Sequence, residues 1–322
     1  MSAVLGFDTS NYTTSAAVYF PEENLVFHAK KLLPVKPGEK GIRQSDAVFH
    51  HTQQLPALLE EALSKAEQGT GLSRDALRDR ITAIGVSTRP RRVEGSYMPC
   101  FTVGQTQAQN LGAVLNVPVF AFSHQEGHLG AALYSAGRLD LIGQDFCAFH
   151  VSGGTTESLY VAPGTESPVL ASMEGTSTDL KAGQAIDRCG IMLGLEFPAG
   201  PALDELALRS EKEFKIRPSV RGFDCSLSGV ENRCKNMLDR GEPPEDIALF
   251  CLRSVEAALG CMADALLAQY PGKHLVFSGG VMSNTIIRRD FEERFDCSFA
   301  APEFSADNAA GVAVLAAIQK EK

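Results

Sequence analysis

The chain contains no tryptophan, and none of its eight cysteines stands in a Cys-x-x-Cys pair. The missing pair argues against a thiol framework or a zinc knuckle, so most cysteines are predicted to be small buried hydrophobic residues. No apolar run approaches the length that spans a bilayer. Residues 1–6 lack a basic region ahead of an apolar one, so no signal peptide is predicted and a cytoplasmic location is expected.

The chain also has no excess of basic residues: its formal net charge is −9 at pH 7. Affinity for nucleic acid comes largely from neutralised phosphates, so a stand-alone nucleic-acid binder is not expected. Contact with RNA would be local or shared with a helper protein. The 322 residues, of which 44% are hydrophobic and 21% charged, suffice for two globular domains with separate cores.

Two histidines four residues apart, His124 and His128, follow a predicted strand over residues 117–120 and open a predicted helix. Junctions of this kind are where α/β proteins place ligand groups. Residues at i and i+4 share one helix face, so both imidazoles could bind one metal ion. The spacing fits equally well two histidines hydrogen-bonded to backbone at a helix start. A metalloprotease motif is excluded, because Gln125 rather than Glu follows the first histidine.

Two similar hairpins enter small polar turns from apolar strands, one around residues 8–14 and one around residues 152–157. Such a repeat indicates a duplicated domain. A third turn over residues 278–284 leads into a helix that begins near Thr285. Turns of this composition let backbone N–H groups approach an anion closely, so the set predicts a two-lobed nucleotide-binding fold. Apolar stripes predict helices over residues 46–66, 185–195, 244–269 and 308–322.

Seven short motifs occur in order over nearly the whole chain. They are His124-x-x-Gly127-His128, Val151–Thr156, Ala182–Asp187, Leu193–Pro201, Ser226–Gly229, Gly279–Asn284 and Ala306–Ala310. In type and order they resemble the TsaD family of tRNA threonylcarbamoyladenosine transferases, formerly labelled glycoproteases. Any one motif could arise by chance, whereas seven in one order point to the family.

The resemblance implies an α/β fold of the actin, sugar-kinase and Hsp70 type, duplicated into two domains with a nucleotide cleft between the lobes. The first lobe would comprise residues 1–130 and 305–322, and the second residues 131–304. It also implies one divalent metal ion, iron or zinc, held by His124, His128 and Asp307. Asp307, near the start of the last predicted helix, is equally suited to capping that helix.

The family's adenylate contacts map onto the second turn and three later positions: Ser152, Gly153, Gly154, Thr155, Thr156, Asp187, Gly200 and Asn284. Asp8 and Thr13 in the first turn are the candidate catalytic residues. The implied reaction moves a threonylcarbamoyl group from threonylcarbamoyl adenylate to an adenosine of tRNA. The metal would act as a Lewis acid on the donor, and turn N–H groups would stabilise negative charge.

The chain departs from the family pattern at positions expected to face the acceptor. Asn11-Tyr12-Thr13 replaces a turn with adjacent Asp and Glu, and Thr155 replaces a histidine in the second turn. Residues 88–95, which include three arginines, replace a Gly-Pro-Gly loop. Metal and nucleotide positions are kept, so a divergent paralogue is predicted. Arg89, Arg91 and Arg92 either meet a phosphate or carboxylate of an altered acceptor or lie in a solvated loop.

Three functions therefore remain open. The leading hypothesis is a TsaD-like transferase that acts on tRNA, assisted by a helper protein. The second is a small-molecule transferase or kinase that uses ATP, with Asp8 or Asp187 as its base. The third is a non-catalytic subunit that binds adenine nucleotide and regulates a related transferase. A dimer with itself or with a related subunit is compatible with all three, and no membrane partner is expected.

Overall fold

A computed structural model of the protein describes residues 1–10, 12–34, 42–304 and 309–321. The chain divides into two compact units. The first consists of Met1–Gly143, Ala162–Ala171 and Ala306–Lys322, and the second of Gln144–Val161 and Ser172–Ser305. The first unit thus continues to Gly143, and it also includes the short segment Ala162–Ala171, which in sequence interrupts the second unit.

The strands form two five-stranded sheets and one short hairpin. They are β1 (Ala3–Thr9), β2 (Thr13–Phe20), β3 (Leu25–Leu32), β4 (Ile81–Arg89), β5 (Val119–Ser123), β6 (Phe146–Val151), β7 (Thr156–Ala162), β8 (Leu170–Thr176), β9 (Ser219–Arg221), β10 (Asp224–Ser226), β11 (Leu275–Ser278) and β12 (Cys297–Phe299). The helices are α1 (Gln44–Thr70), α2 (Arg74–Arg78), α3 (Phe101–Leu115), α4 (His124–Ser135), α5 (Ala182–Met192), α6 (Gly200–Ala207), α7 (Ser228–Asp239), α8 (Pro244–Gln269), α9 (Thr285–Arg294) and α10 (Ala309–Lys320).

The two large sheets have the same strand order. In the first unit the order is β3-β2-β1-β4-β5, and in the second it is β8-β7-β6-β11-β12. In each sheet an antiparallel hairpin, β1–β2 or β6–β7, is followed across the sheet by parallel strands. This repetition confirms the α/β class and the duplication predicted from the two hairpins.

Each unit has its own hydrophobic core between a sheet and helices. In the first unit Phe7, Phe20 and Ile84 of the sheet pack with Leu55 and Leu58 of α1. In the second unit α8 is buried along most of its length, and its apolar residues pack against the sheet and against α5 and α7. The helix covers Pro244–Gln269, the residues over which the apolar stripe predicts a helix.

Helix α10 lies unusually close to the first sheet and to α4. A Cβ atom at Gly6 would lie 2.0 Å from the Ala309 carbonyl oxygen, and one at Gly85 would lie 2.0 Å from that of Val312. A Cβ at Gly311 would lie 1.8 Å from the Gly127 carbonyl oxygen of α4. Only glycine permits these backbone approaches, which hold the histidine-bearing helix in place. Among the helices described, none is long and apolar enough to cross a membrane.

Candidate functional site

The first group of functional side chains lies where β1, β4 and β5 end. These three strands run parallel, so their carboxyl ends meet at one edge of the sheet. Asp8 and Ser87 lie near the ends of β1 and β4 and are fully buried. Ser123 ends β5, and His124 begins α4 directly after it. The edge therefore brings together a carboxylate, a hydroxyl and an imidazole from distant parts of the sequence.

Asp8 is the buried centre of this group. Its Oδ1 accepts a hydrogen bond from Ser87 Oγ and lies 3.1 Å from His124 Nδ1. Burial raises the pKa of Asp8, but the charge of His124 and hydrogen bonds to its oxygens outweigh burial and lower the pKa below the usual value. Its Oδ2 is buried and has no hydrogen-bond partner among the described residues. An ionised carboxylate with one unpaired oxygen beside an imidazole suits a cation.

The two predicted metal histidines lie on the first turns of α4. Ser123 caps this helix by accepting from the Glu126 N–H at 3.2 Å, and the Glu126 carboxylate accepts from the Ser123 N–H in return. The rings of His124 and His128 share one face, with centroids 4.6 Å apart. The donor types and the orphaned oxygen of Asp8 fit a divalent transition metal. Asp307, the third predicted ligand, lies outside the described residues.

Thr13 lies on β2 close to this group. Ser15 is directly opposite Asp8 in the β1–β2 hairpin, and Thr13 is two residues further along the same strand face. Thr14 points to the other face, where its hydroxyl lies 2.7 Å from Nδ1 of His51. His51 is fully buried, and this burial lowers the pKa of its imidazole. His51 was missed from the sequence, because its burial follows only from the packing of α1 on β2.

Arg92 is part of the first unit's internal structure. Its Nε and Nη2 lie 3.0 and 3.2 Å from the two carboxylate oxygens of Glu126, and its Nη1 lies 2.9 Å from Glu166. The Arg92 side chain is thus only 21% exposed and pairs with carboxylates of its own chain, so it does not lie in a fully solvated loop. The ion pair ties residues 88–95 to the first turn of α4.

The second group of predicted residues begins at the turn after β6. The Gly183 N–H donates to the Ser152 carbonyl at 3.2 Å, and the Ala182 N–H donates to Thr156 Oγ1 at 2.9 Å. A Cβ at Gly183 would lie 2.7 Å from the Gly153 nitrogen, so only glycine lets α5 begin against this turn. Cβ atoms at Gly153 and Gly154 would meet nothing within 4 Å. The turn is thus open beside a helix N-terminus, an arrangement suited to phosphate.

The remaining predicted nucleotide residues are joined to this turn through α5, α6 and α9. Asp187 on α5 accepts from the Ala199 N–H at 2.9 Å, directly before Gly200. Asn284 is buried and caps α9 by accepting from the Ile287 N–H at 3.0 Å. The structure therefore brings Ser152–Thr156, Asp187, Gly200 and Asn284 into one connected region of the second unit, and it gives Asn284 a structural role as a cap.

Asp204 belongs to this region and was missed from the sequence. It lies on α6, one turn after Gly200, and its Oδ2 accepts from the Thr285 N–H at 2.9 Å. Its Oδ1 is buried and has no hydrogen-bond partner among the residues described. The sequence does contain a signal for its burial. Asp204 directly follows Leu203 and lies one turn from Ala207, and both of these residues are on the buried face of an amphipathic helix.

Two units with repeated sheets and glycine turns at strand ends define an α/β protein of the sugar-kinase type. A ROK family glucokinase from Streptomyces griseus superposes with a TM-score of 0.52 at 12% identity, with all of both chains covered. Component A of (R)-2-hydroxyglutaryl-CoA dehydratase from Acidaminococcus fermentans gives a TM-score of 0.57 at 18% identity, again over all of both chains. At these identities the likeness is one of fold.

Sequence comparison identifies the family within this class. The family model described as TsaD, tRNA N6-adenosine threonylcarbamoyltransferase, matches residues 27–314. A tRNA N6-adenosine threonylcarbamoyltransferase from Aromatoleum aromaticum is 31% identical over 98% of this chain and 91% of its own length. One from Thermus thermophilus is 28% identical over 97% of this chain and 91% of its own length. The chain belongs to the TsaD family, as the order of its motifs predicted.

Proposed function

We propose that the protein transfers a threonylcarbamoyl group from threonylcarbamoyl adenylate to the N6 amine of an adenosine in tRNA. The observation that carries the proposal is the group around Asp8 and His124. Membership in a family of tRNA N6-adenosine threonylcarbamoyltransferases supports the reaction class, and the group supplies donor atoms that can bind a metal ion. Because the acceptor is tRNA, the proposed compartment is the cytoplasm.

The proposed metal ligands are His124, His128 and Asp307, with iron or zinc as the ion. When bound, the ion would supply Lewis-acid polarisation of the donor. For Asp8 we propose the role of a positioning residue, because it contacts His124 and its lowered pKa keeps it ionised. Its charge orients His124 through the 3.1 Å contact, and it stabilises positive charge at this edge of the sheet.

The second unit is proposed to hold the adenylate. N–H groups of the open Gly153-Gly154 turn would bind the phosphate, and the positive end of the α5 dipole would favour its charge. Asp187 or Asp204 would accept from ribose or adenine donors. In the reaction a C–N bond forms between the adenosine amine and the carbamoyl carbon. The bond from that carbon to the phosphate oxygen breaks, AMP leaves with the electron pair, and the proton lost by the amine passes to solvent.

The metal assignment is tested by elemental analysis of the purified chain. The His124→Ala and His128→Ala variants are expected to lose the bound ion while their circular dichroism spectra stay unchanged. His50→Ala, on α1 outside the group, is the matched control and should keep the ion. Equal metal content in all four proteins would refute the assignment.

The activity is tested with threonylcarbamoyl adenylate and unmodified tRNA, with and without cell extract as a source of helper proteins. Digested nucleosides are then weighed by mass spectrometry. Modified adenosine that disappears in His124→Ala supports the transferase. Adenylate binding without product would contradict it and favour a regulatory subunit or another acceptor.

A further inference from the structure

Three cysteines of the second unit meet inside its core. Cys189 lies on α5, Cys234 on α7 and Cys251 on α8, and all three are fully buried. Their sulfur atoms all lie within 4.8 Å of one another. Within the described part of the chain this is the one group of three histidine, cysteine or carboxylate ligands with such spacing. The spacing in sequence is too wide for any cysteine motif to have revealed it.

The sulfur positions are close to those of a coordinated metal ion. An ion about 2.3 Å from each thiolate places the sulfurs about 3.8 Å apart in a tetrahedron and about 4.0 Å apart in a trigonal plane. Because no two of the sulfurs are more than 4.8 Å apart, each separation exceeds that of the bound arrangement by at most about 1 Å, which small side-chain rotations can supply.

We propose that Cys189, Cys234 and Cys251 form a trithiolate site for a thiophilic d¹⁰ cation, Cu(I) or Zn(II). Thiolate ligands select these ions over harder cations. Structural zinc is almost always four-coordinate, and no fourth cysteine, histidine or carboxylate joins the group among the described residues. Cu(I) is therefore expected to be the tighter ligand of the two.

Binding exchanges thiol protons for the metal ion and involves no oxidation. The thiol protons pass to solvent as the thiolates coordinate. Thiolates in an apolar core are costly by themselves, and the cation offsets that cost.

The bound ion would add a covalent-strength link between three helices that are otherwise held by side-chain packing, by the Arg188–Glu231 ion pair between α5 and α7, and by the long Cys251 Sγ to Ala185 carbonyl hydrogen bond between α8 and α5. Helix α5 carries Gly183, which lies against the Ser152–Gly153 turn, and also Asp187. The ion would therefore stabilise the second unit beneath the proposed adenylate residues. This role is separate from the proposed transfer reaction and does not depend on it.

The test is a competition titration of the reduced, full-length protein under anaerobic conditions. Cu(I) is titrated against a chromophoric Cu(I) chelator, and Zn(II) against a zinc chelator in a separate arm. One retained equivalent per chain is expected, and each of Cys189→Ala, Cys234→Ala and Cys251→Ala should abolish it. Cys147→Ala, buried in the same unit, and Cys261→Ala, exposed on α8, are controls that should keep it.

A second measurement uses only the wild-type protein, so that it remains informative if the cysteine variants fail to fold. The wild-type protein is alkylated in mild denaturant with and without the metal, and labelled peptides are quantified by mass spectrometry. The ion should slow labelling of the three cysteines at least about tenfold more than that of Cys147. Retention of zinc alone would identify the ion as Zn(II). No retained equivalent of either ion, or equal retention in all five variants, would overturn the site and leave the cysteines as core packing.

Discussion

Replacing Arg92 by alanine is expected to destabilise the first unit, because it leaves the Glu126 carboxylate buried without its cation. The Glu126 side chain is 2% exposed, and that of Arg92 is 21% exposed. Two hydrogen bonds, of 3.0 and 3.2 Å, join them. The second carboxylate on Arg92, Glu166, is 72% exposed, so its bond is formed in solvent.

These exposures set the expected magnitudes. Removing one partner of a buried ion pair costs about 3–5 kcal/mol. Glu126 keeps its bond from the Ser123 N–H, and Arg92 is partly hydrated, so a loss of about 2–3 kcal/mol is expected for Arg92→Ala. The exposed pair with Glu166 should contribute about 0–1 kcal/mol.

The assay is urea unfolding followed by far-UV circular dichroism, arranged as two double-mutant cycles. One cycle combines Arg92→Ala with Glu126→Gln, and the other combines it with Glu166→Gln. A coupling free energy of about 2 kcal/mol is expected for the first and below about 0.5 kcal/mol for the second. Arg78→Ala, which removes a 54%-exposed arginine bonded to two aspartates, is the control and should change little.

A small effect of Arg92→Ala would refute the reasoning. If its free energy of unfolding falls no more than that of Arg78→Ala, Glu126 is hydrated and the pair does not hold the start of α4. Equal coupling in the two cycles would show that exposure does not decide the strength of these bonds.

Three further predictions concern other parts of the structure. Gly311→Ala should lower the free energy of unfolding by about 3 kcal/mol, because the new Cβ would overlap the Gly127 carbonyl oxygen. In the control Gly229→Ala the new Cβ meets nothing within 4 Å, so the midpoint of thermal unfolding should not fall. Burial raises the pKa of Glu256 to about 7, so the folded chain holds this proton more tightly than the unfolded chain and stability falls as pH rises from about 4.5 to 7. Glu256→Gln should remove about 1–3 kcal/mol of this pH-dependent loss of unfolding free energy, and the exposed control Glu293→Gln should leave it unchanged. Stability that depends on pH in the same way in both variants would contradict the prediction. Gly153→Ala should leave the midpoint of thermal unfolding unchanged but weaken adenylate binding, measured by calorimetry, at least about tenfold. An unaltered affinity would show that the phosphate does not approach this turn closely.

The sequence alone determined features that depend on short-range spacing. Apolar strands followed by small polar turns predicted both hairpins, and an apolar stripe predicted α8 with its observed bounds. The shared face of His124 and His128 follows from helix geometry once residues 124–135 are helical. These predictions succeed because side-chain direction repeats every two or 3.6 residues, whatever the rest of the fold does.

Tertiary structure decided which distant residues meet. Helix α5 begins at Ala182, three residues before the predicted start, because the Thr156 side chain caps it from another strand. Asp8 reaches His124, and Arg92 reaches Glu126, only through the order and parallel direction of β1, β4 and β5. The three buried cysteines meet because α5, α7 and α8 pack together. Contacts of this kind depend on strand order and helix packing, which local sequence patterns do not encode.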